Sequence, residues 1–106
     1  MKKLSDQPLK PILLIVDDEE GPRMSLKVVF KDDYSVLLAE TGAQAIRLAQ
    51  ENQVDVVISD IRMPEMSGIE LLGKLKSIDP KIEVIMLTAY SASRNSRARS
   101  WAAPNI

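Results

Sequence analysis

Four short apolar runs, separated by segments of helical character, constrain the fold of this sequence more than any other feature. The runs cover residues 12–16, 36–39, 54–58 and 82–87, and most of their residues are β-branched or leucine. Largely uninterrupted apolar runs are typical of strands buried on both faces of a parallel sheet, whereas half-exposed antiparallel strands alternate apolar and polar residues. The pattern therefore predicts an α/β fold with four parallel strands.

The segments between the runs have helical spacing and recognisable starts. In the first, Pro22 is placed for an opening turn. The second begins with Thr41 and Gln44 and the third with Ser67 and Glu70, at the spacing of a capping box. The predicted apolar stripes are Leu26, Val29 and Phe30, then Ile46 and Ala49, then Leu71, Leu75 and Ile78. The predicted order is βαβαβαβ, with helical crossovers between parallel strands.

The chain has the length of one small domain, and its composition excludes several kinds of site. It has 106 residues, no cysteine and no histidine. Disulfides, thiolate or imidazole metal ligands, and catalysis built on cysteine or histidine are therefore excluded, so any metal must be held by oxygen atoms. No stretch approaches the roughly 20 apolar residues that span a bilayer, and the first residues lack a secretory signal. We expect a cytoplasmic protein without a membrane partner.

Polar residues that could bind a ligand or a metal ion follow three of the predicted strands. The acidic run 17–20 follows the first strand, Asp60 the third and Thr88 the fourth. In open parallel sheets these carboxyl ends border the ligand crevice. Carboxylates brought together there repel by roughly 4 kcal/mol per close pair at an effective dielectric constant of about 20, unless a cation lies among them. Mg²⁺ prefers such oxygen ligands together with waters and a phosphate, which points to phosphoryl transfer.

Each of these residues also has an ordinary structural interpretation. The acidic run can be a solvated loop that favours the next helix through its dipole. Asp60 can be a turn residue, and Thr88 can be a β-branched strand end. Their common location at three strand ends favours the metal site over these separate explanations.

Four motifs in order resemble the receiver domain of bacterial two-component response regulators. They are Ile15-Val16-Asp17-Asp18-Glu19-Glu20, Val57-Ile58-Ser59-Asp60-Ile61-Arg62-Met63-Pro64, Ser67-Gly68-Ile69-Glu70-Leu71-Leu72 and Met86-Leu87-Thr88-Ala89-Tyr90. The resemblance runs from about residue 10 to residue 90, and its style is similar to receivers of nitrogen-regulatory activators. It implies the flavodoxin-like receiver fold, a parallel sheet in a three-layer arrangement.

The resemblance implies a phospho-acceptor switch and not an enzyme. Asp60 would accept a phosphoryl group from a sensor histidine kinase or a small phosphodonor, and an output domain would turn this into transcription regulation. Asp17, Asp18, Asp60 and the backbone carbonyl of Arg62 would hold Mg²⁺, with Asp17 acting mostly through a bound water. Thr88 would donate its hydroxyl to a phosphoryl oxygen and carry the switch outward.

The sequence departs from the family pattern after Tyr90. A receiver continues with a fourth helix, a fifth strand ending in Lys-Pro and a fifth helix, whereas residues 91–106 contain three arginines, no acid and no strand-like run. We predict an N-terminal extension (1–9), a partial receiver domain (10–90) lacking the fifth strand and helix, and a non-family tail (91–106). A frameshift, a truncation or a vector would explain such a tail, and a natural shortened variant is the alternative.

The departure has consequences for activity and partners. The family lysine that contacts the phosphoryl group has no counterpart, so we expect phosphorylation to be slow and this chain to be impaired. Three arginines beside Trp101 form a small electrostatic footprint, so no nucleic-acid partner is expected. With the fourth strand at an edge and one sheet face uncovered, we expect a homodimer that exchanges or juxtaposes elements, with the tail docked by Trp101. A tail folded back on its own sheet is the alternative.

Two other classes of function compete with the switch. An aspartate-nucleophile phosphatase also needs Mg²⁺, but it requires Asp-x-Asp-x-Thr after the first strand, and Asp18-Glu19-Glu20 does not supply it. An interaction module that works without phosphorylation stays open, because the lysine and the output domain both have no counterpart in the sequence.

Overall fold

Strands and helices alternate along the chain, as the apolar runs predict. A computed structural model describes residues 10–87. Its elements are β1 (Ile12–Val16), α1 (Glu20–Phe30), β2 (Ser35–Ala39), α2 (Gly42–Glu51), β3 (Val56–Asp60), α3 (Gly68–Ile78) and β4 (Glu83–Leu87). The α/β prediction is therefore confirmed. β3 begins two residues later than expected and includes Asp60, because its ladder to β4 continues as far as that residue.

The four strands form one parallel sheet in the order β2-β1-β3-β4. The chain runs outward from β1 to β2, then returns to the other side of β1 for β3 and β4. Register pairs Val16 with Ala39 on one side and with Ser59 on the other, and Asp60 with Leu87. The strand order therefore reverses between β1 and β3, and ligand crevices form at the carboxyl ends of parallel strands at such a point.

Helices cover both faces, giving the three-layer receiver fold. On one face, α2 and α3 pack on a core that includes Leu14, Val16, Val57, Leu71 and Leu75. On the other face, Leu13, Ile15 and Ile58 pack against Leu26 and Phe30 of α1. Successive residues of β1 thus serve opposite faces, which explains why its sequence is apolar without interruption.

Two helices begin at the predicted caps. The Thr41 hydroxyl accepts a hydrogen bond from the Gln44 amide at 3.1 Å, and the Ser67 hydroxyl accepts one from the Glu70 amide at 3.0 Å. The Gln44 side chain reaches back one residue further than expected, because its Oε1 accepts from the Glu40 amide at 2.9 Å. The two hydroxyls thus satisfy the Gln44 and Glu70 amides, which lie in the first helical turns and have no partner within the helix.

The face of α1 differs from its predicted stripe. Leu26 and Phe30 pack on the sheet, but Val29 is 65% exposed, and the buried residue of the helix is Arg23. Helical spacing also places Arg23, Leu26 and Phe30 on one face, at i, i+3 and i+7. The prediction for Val29 was wrong because the face that packs on the sheet runs through Arg23, Leu26 and Phe30 and leaves Val29 to its side.

The strands at the two sides of the sheet are less buried than β1 and β3. Ile85 of β4 is 50% exposed, and β2 begins with an exposed serine. The expectation of burial on both faces therefore holds for β1 and β3 but not for the flanking strands. Every helix within residues 10–87 is too short to cross a lipid bilayer.

Several expectations concern residues outside the part of the chain that the structure describes. These are the extension 1–9, the tail 91–106 with Trp101 as its docking residue, and the switch role of Thr88. All three stay predictions.

Candidate metal centre

Three aspartates meet at the carboxyl ends of β1 and β3. Asp17 and Asp18 follow β1 directly, and Asp60 is the last residue of β3. One carboxylate oxygen from each lies within 4.8 Å of the other two. Asp17 and Asp60 are buried while Asp18 is exposed, so the cluster reaches solvent at Asp18. The structure thus brings together the three carboxylates that were predicted as metal ligands.

The backbone and one carboxylate oxygen of Asp17 are held firmly. Its amide donates to the Ala39 carbonyl at 3.1 Å, which extends the ladder between β1 and β2 by one residue. Its Oδ1 accepts from the Glu19 amide at 2.9 Å, and this turn leads the chain into α1. Its Oδ2 is buried and makes no hydrogen bond, and no other buried side-chain nitrogen or oxygen of the described residues lacks a partner. A buried carboxylate oxygen without a donor is costly unless a cation or water meets it.

The burial of Asp17 and the charges around it also disfavour its ionised carboxylate when no cation is bound. Burial raises the pKa of the Asp17 carboxyl above its ordinary value of 3.8, and the hydrogen bond from the Glu19 amide opposes the rise. The charges of Asp60, Asp18 and Glu19 raise the pKa further. A cation among these carboxylates would relieve both the lost solvation and the repulsion.

Asp60 is oriented by the loop that follows it. Its Oδ1 accepts from the amide of Arg62 at 3.1 Å, while its backbone carbonyl accepts from the hydroxyl of Ser59 at 3.0 Å. Its Oδ2 makes no hydrogen bond to any of residues 10–87 and, unlike Oδ2 of Asp17, is not fully buried. The side chain is thus held through one oxygen, and the second oxygen is left for another partner.

A glycine allows the start of α3 to approach Asp60 closely. A Cβ atom on Gly68 would lie 2.7 Å from the Asp60 carbonyl oxygen and 2.8 Å from the Ile61 Cα. The Gly68 amide also donates to the Ile61 carbonyl at 2.9 Å. Any side chain here would push against the backbone of Asp60 and Ile61, so a glycine is required by contact and not by backbone torsion.

The other predicted site residues are placed as follows. Arg62 is exposed, two residues beyond Asp60, and its amide is the donor to Asp60 described above. Metal ligation by its carbonyl stays a prediction. β4 ends at Leu87, the register partner of Asp60, and Thr88 is the next residue in the sequence, outside the described residues.

Arg23 is a site residue that the motifs missed. Its side chain is only 10% exposed, and its Nη1 donates to the backbone carbonyl of Asp17 at 2.8 Å. Its Nη2 lies 3.6 Å from Oε2 of Glu40, whose side chain is 68% exposed. The signal that could have found it is an arginine at stripe spacing with Leu26 and Phe30, since buried arginines need partners.

The donor set fits Mg²⁺. Hard divalent cations prefer oxygen ligands, and this cluster offers three carboxylates at strand ends, one of which, Asp17, has a buried oxygen without a partner. Mg²⁺ keeps several waters in its coordination shell, which suits a site with one side open to solvent at Asp18.

Comparisons with known proteins agree with this fold. The family model for the response regulator receiver domain matches residues 13–101. Sporulation initiation phosphotransferase F of Bacillus subtilis (strain 168) is 43% identical over 79 residues, which are 74% of this chain and 64% of that protein. The transcriptional regulatory protein GlrR of Escherichia coli (strain K12) is 41% identical over 81 residues, which are 76% of this chain and 18% of that protein.

Solved structures give the same answer. A response regulator receiver domain protein from Clostridium thermocellum is similar with a TM-score of 0.70 and 36% identity, over 74% of this chain and 64% of that one. Chemotaxis protein CheY4 of Vibrio cholerae is similar with a TM-score of 0.72 and 32% identity, over 76% and 69%. The chain belongs to the receiver domain family of two-component response regulators. It spans less than two thirds of the length of the two relatives named above.

Proposed function

We propose that this chain is a phospho-acceptor of a two-component phosphorelay and that Asp60 is the residue that receives the phosphoryl group. The observation that carries the proposal is the cluster of Asp17, Asp18 and Asp60, in which Asp60 is held through Oδ1 alone. Membership in the receiver family supports the same role.

The proposed reaction is a substitution at phosphorus. Asp60 Oδ2 forms a bond to the phosphorus of a phosphohistidine, and the P–N bond breaks with its electron pair remaining on the ring nitrogen. Because the other ring nitrogen of the phosphohistidine carries a proton, the products are an acyl phosphate on Asp60 and a neutral imidazole. The amide of Arg62, which donates to Oδ1, keeps the carboxylate in one orientation during the attack.

We propose that Asp17, Asp18, Asp60 and the backbone carbonyl of Arg62 hold Mg²⁺, with Asp17 acting mostly through a water. Bound there, Mg²⁺ supplies positive charge that offsets the phosphoryl oxygens as one anion approaches another. The orphaned Oδ2 of Asp17 and the raised pKa of its carboxyl support a cation at this position. The chain's own contribution is to keep three carboxylates on adjacent strand ends.

The change at Asp60 is proposed to spread through Thr88. This residue follows Leu87, which pairs with Asp60 across β3 and β4, and its hydroxyl is the proposed donor to a phosphoryl oxygen. The partners in this role are a sensor histidine kinase and an output domain, with transcription regulation as the output and the cytoplasm as the location. The named transcriptional regulator among the relatives supports this output.

Incorporation of label from radioactive acetyl phosphate tests the proposal. The unchanged chain should take up label with Mg²⁺ and lose this ability with EDTA, and Asp60→Asn should take up none. Asp55→Asn is the matched control, because Asp55 precedes β3 at the opposite end of that strand and should label normally. Label that persists in Asp60→Asn would refute the assignment. Absence of label in the unchanged chain would favour the interaction module that works without phosphorylation.

We also propose that a second copy of the chain covers the open side of the sheet. Ile85 pairs with Ile58, which packs toward α1, yet Ile85 is half exposed. Val29 and Val28 of α1 are exposed as well, and β4 is a side strand of the sheet within the described residues. Apolar surface beside a strand whose outer side has no partner strand among residues 10–87 supports self-association.

Light scattering tests this association. The unchanged chain should be dimeric at micromolar concentration and Ile85→Lys should be monomeric. Ile69→Lys is the control, because Ile69 is similarly exposed but belongs to α3 on the opposite face. A monodisperse monomer of the unchanged chain would contradict the dimer.

A further inference from the structure

We propose that Arg23 is a positioning residue for the Mg²⁺ site and that it acts by fixing the backbone of Asp17. This inference rests on the proposed function, because it assigns a role toward the cation that the acidic cluster is proposed to hold. Arg23 is the buried residue of α1, and its side chain is only 10% exposed.

The guanidinium holds the backbone carbonyl of Asp17, while β2 holds its amide. The Asp17 amide donates to the Ala39 carbonyl at 3.1 Å, and the Asp17 carbonyl accepts from Arg23 Nη1 at 2.8 Å. Both backbone polar groups of the residue are therefore engaged, one by β2 and one by α1. With its backbone fixed on both sides, Asp17 keeps its Oδ2 in the cluster, although that oxygen has no hydrogen-bond partner of its own.

The second terminal nitrogen of the guanidinium, Nη2, approaches the residue that follows β2. Nη2 lies 3.6 Å from Oε2 of Glu40, which follows β2. Because the Glu40 side chain is mostly exposed, solvent screens this ion pair, and its energetic contribution is small. The buried hydrogen bond to the Asp17 carbonyl is therefore the contact that matters for position.

The charge of Arg23 and its position have opposite effects on a bound cation. A guanidinium repels Mg²⁺, so removal of its charge alone would tighten binding. Removal of the hydrogen bond would release Asp17 and weaken binding. The direction of the change in affinity therefore separates the two roles.

The test compares Mg²⁺ affinities of the full chain by titration calorimetry for the unchanged protein, Arg23→Met, Arg23→Lys and Glu40→Gln. Arg23→Met should weaken Mg²⁺ binding about tenfold, the low end of the effect seen when a residue that orients a metal ligand is removed. Arg23→Lys should give an intermediate affinity, because an ammonium reaches one partner but lacks the planar fork. Glu40→Gln should stay within about twofold, because its ion pair is exposed.

A readout other than affinity separates positioning from a general structural role. Unfolding in EDTA measures how much each variant loses in stability, and calorimetry is performed well below the unfolding temperature. A variant Arg23→Met that is less stable but binds Mg²⁺ as the unchanged chain does would overturn the inference, as would tighter binding. If Arg23→Met does not fold, Arg23→Lys decides: affinity equal to that of the unchanged chain overturns the inference, and weaker affinity supports it.

The failure of this inference differs from the failure of the proposed function. If the unchanged chain binds no Mg²⁺, both are overturned. If it binds Mg²⁺ and takes up phosphoryl label, but its affinity is insensitive to Arg23, only the positioning role is overturned.

Discussion

Asp17→Asn is expected to stabilise the metal-free fold and to abolish its response to Mg²⁺. The substitution keeps the size of the side chain, and the amide oxygen can still accept from the Glu19 amide as Asp17 Oδ1 does at 2.9 Å. At the position of the buried Oδ2, it replaces an oxygen that lacks a donor by an amide group that can donate to a neighbouring carboxylate. A repulsive contact thus becomes an attractive one.

The magnitude follows from the distances within the cluster. Asp17, Asp18 and Asp60 each contribute an oxygen within 4.8 Å of the other two. At that separation two unit charges repel by about 3.5 kcal/mol at an effective dielectric constant of about 20. Asp17 takes part in two of the three pairs, but solvent at exposed Asp18 and local relaxation reduce the effect. We expect a gain of about 1 to 3 kcal/mol in the free energy of unfolding.

The pH dependence has a definite sign. Burial raises the pKa of Asp17 in the folded state above its ordinary value of 3.8, so the folded state holds this proton more tightly than the unfolded state. The contribution of Asp17 is therefore most favourable below the ordinary pKa. It is lost as pH rises from that value through the raised folded pKa. In EDTA, the stability of the unchanged chain should fall across this window relative to that of Asp17→Asn.

Urea denaturation followed by circular dichroism measures these effects. Asp33→Asn is the control, because Asp33 is an exposed carboxylate outside the cluster and its substitution should change stability by less than about 0.5 kcal/mol. Mg²⁺ at about ten times its dissociation constant should stabilise the unchanged chain by about 1.4 kcal/mol and leave Asp17→Asn unaffected. A less stable Asp17→Asn in EDTA would refute the electrostatic account of the cluster.

Three further substitutions test the frame around the site by urea denaturation. Gly68→Ala should destabilise the chain by about 1 to 3 kcal/mol, because the new methyl group would lie 2.7 Å from the Asp60 carbonyl oxygen and displace the backbone there. The same displacement should slow phosphoryl labelling of Asp60. Gly73→Ala in the same helix meets no atom within 4 Å and should stabilise it by about 0.5 to 1 kcal/mol. Ser67→Ala removes the cap of α3 and should cost about 1 kcal/mol. Equal effects of the two glycine substitutions would contradict the close approach at Gly68.

The strands could be predicted because each is a short run of mostly apolar consecutive residues. β1 serves two cores at once, through Leu13 and Ile15 on one face and Leu14 and Val16 on the other, so all of its residues are apolar. The exposure of Ile85 could not be predicted in the same way. It depends on which face of β4 the helices leave uncovered, and the strand's own sequence does not contain that information.

Helix ends were more predictable than helix faces. The caps at Thr41 and Ser67 are local, because donor and acceptor are three residues apart. The face of α1 depends on distant partners: Arg23 is buried because the Asp17 carbonyl and Glu40 meet its guanidinium. The apolar stripe therefore predicted burial of Val29, whereas the structure exposes Val29 and buries Arg23 of the same helix.

The candidate site could be predicted in part for a topological reason. Parallel strands bring their carboxyl ends to one edge, so Asp17, Asp18 and Asp60 were expected together despite their separation in sequence, and the structure places them together. The orphaned oxygen of Asp17 and the close approach of Gly68 required coordinates, because both depend on distances between elements.

Chemical mapping of the phosphorylated residue tests the central claim most directly. Borohydride reduces the acyl phosphate of an aspartate to homoserine, which mass spectrometry of the tryptic peptide spanning residues 48–62 can locate. After treatment with acetyl phosphate and Mg²⁺, homoserine should be found at position 60 and not at Asp55 in the same peptide. It should also be missing from Asp17 and Asp18 in the tryptic peptide spanning residues 4–23, and EDTA should prevent it. Homoserine at any of those three aspartates with Asp60 unchanged would contradict the assignment of the phospho-acceptor.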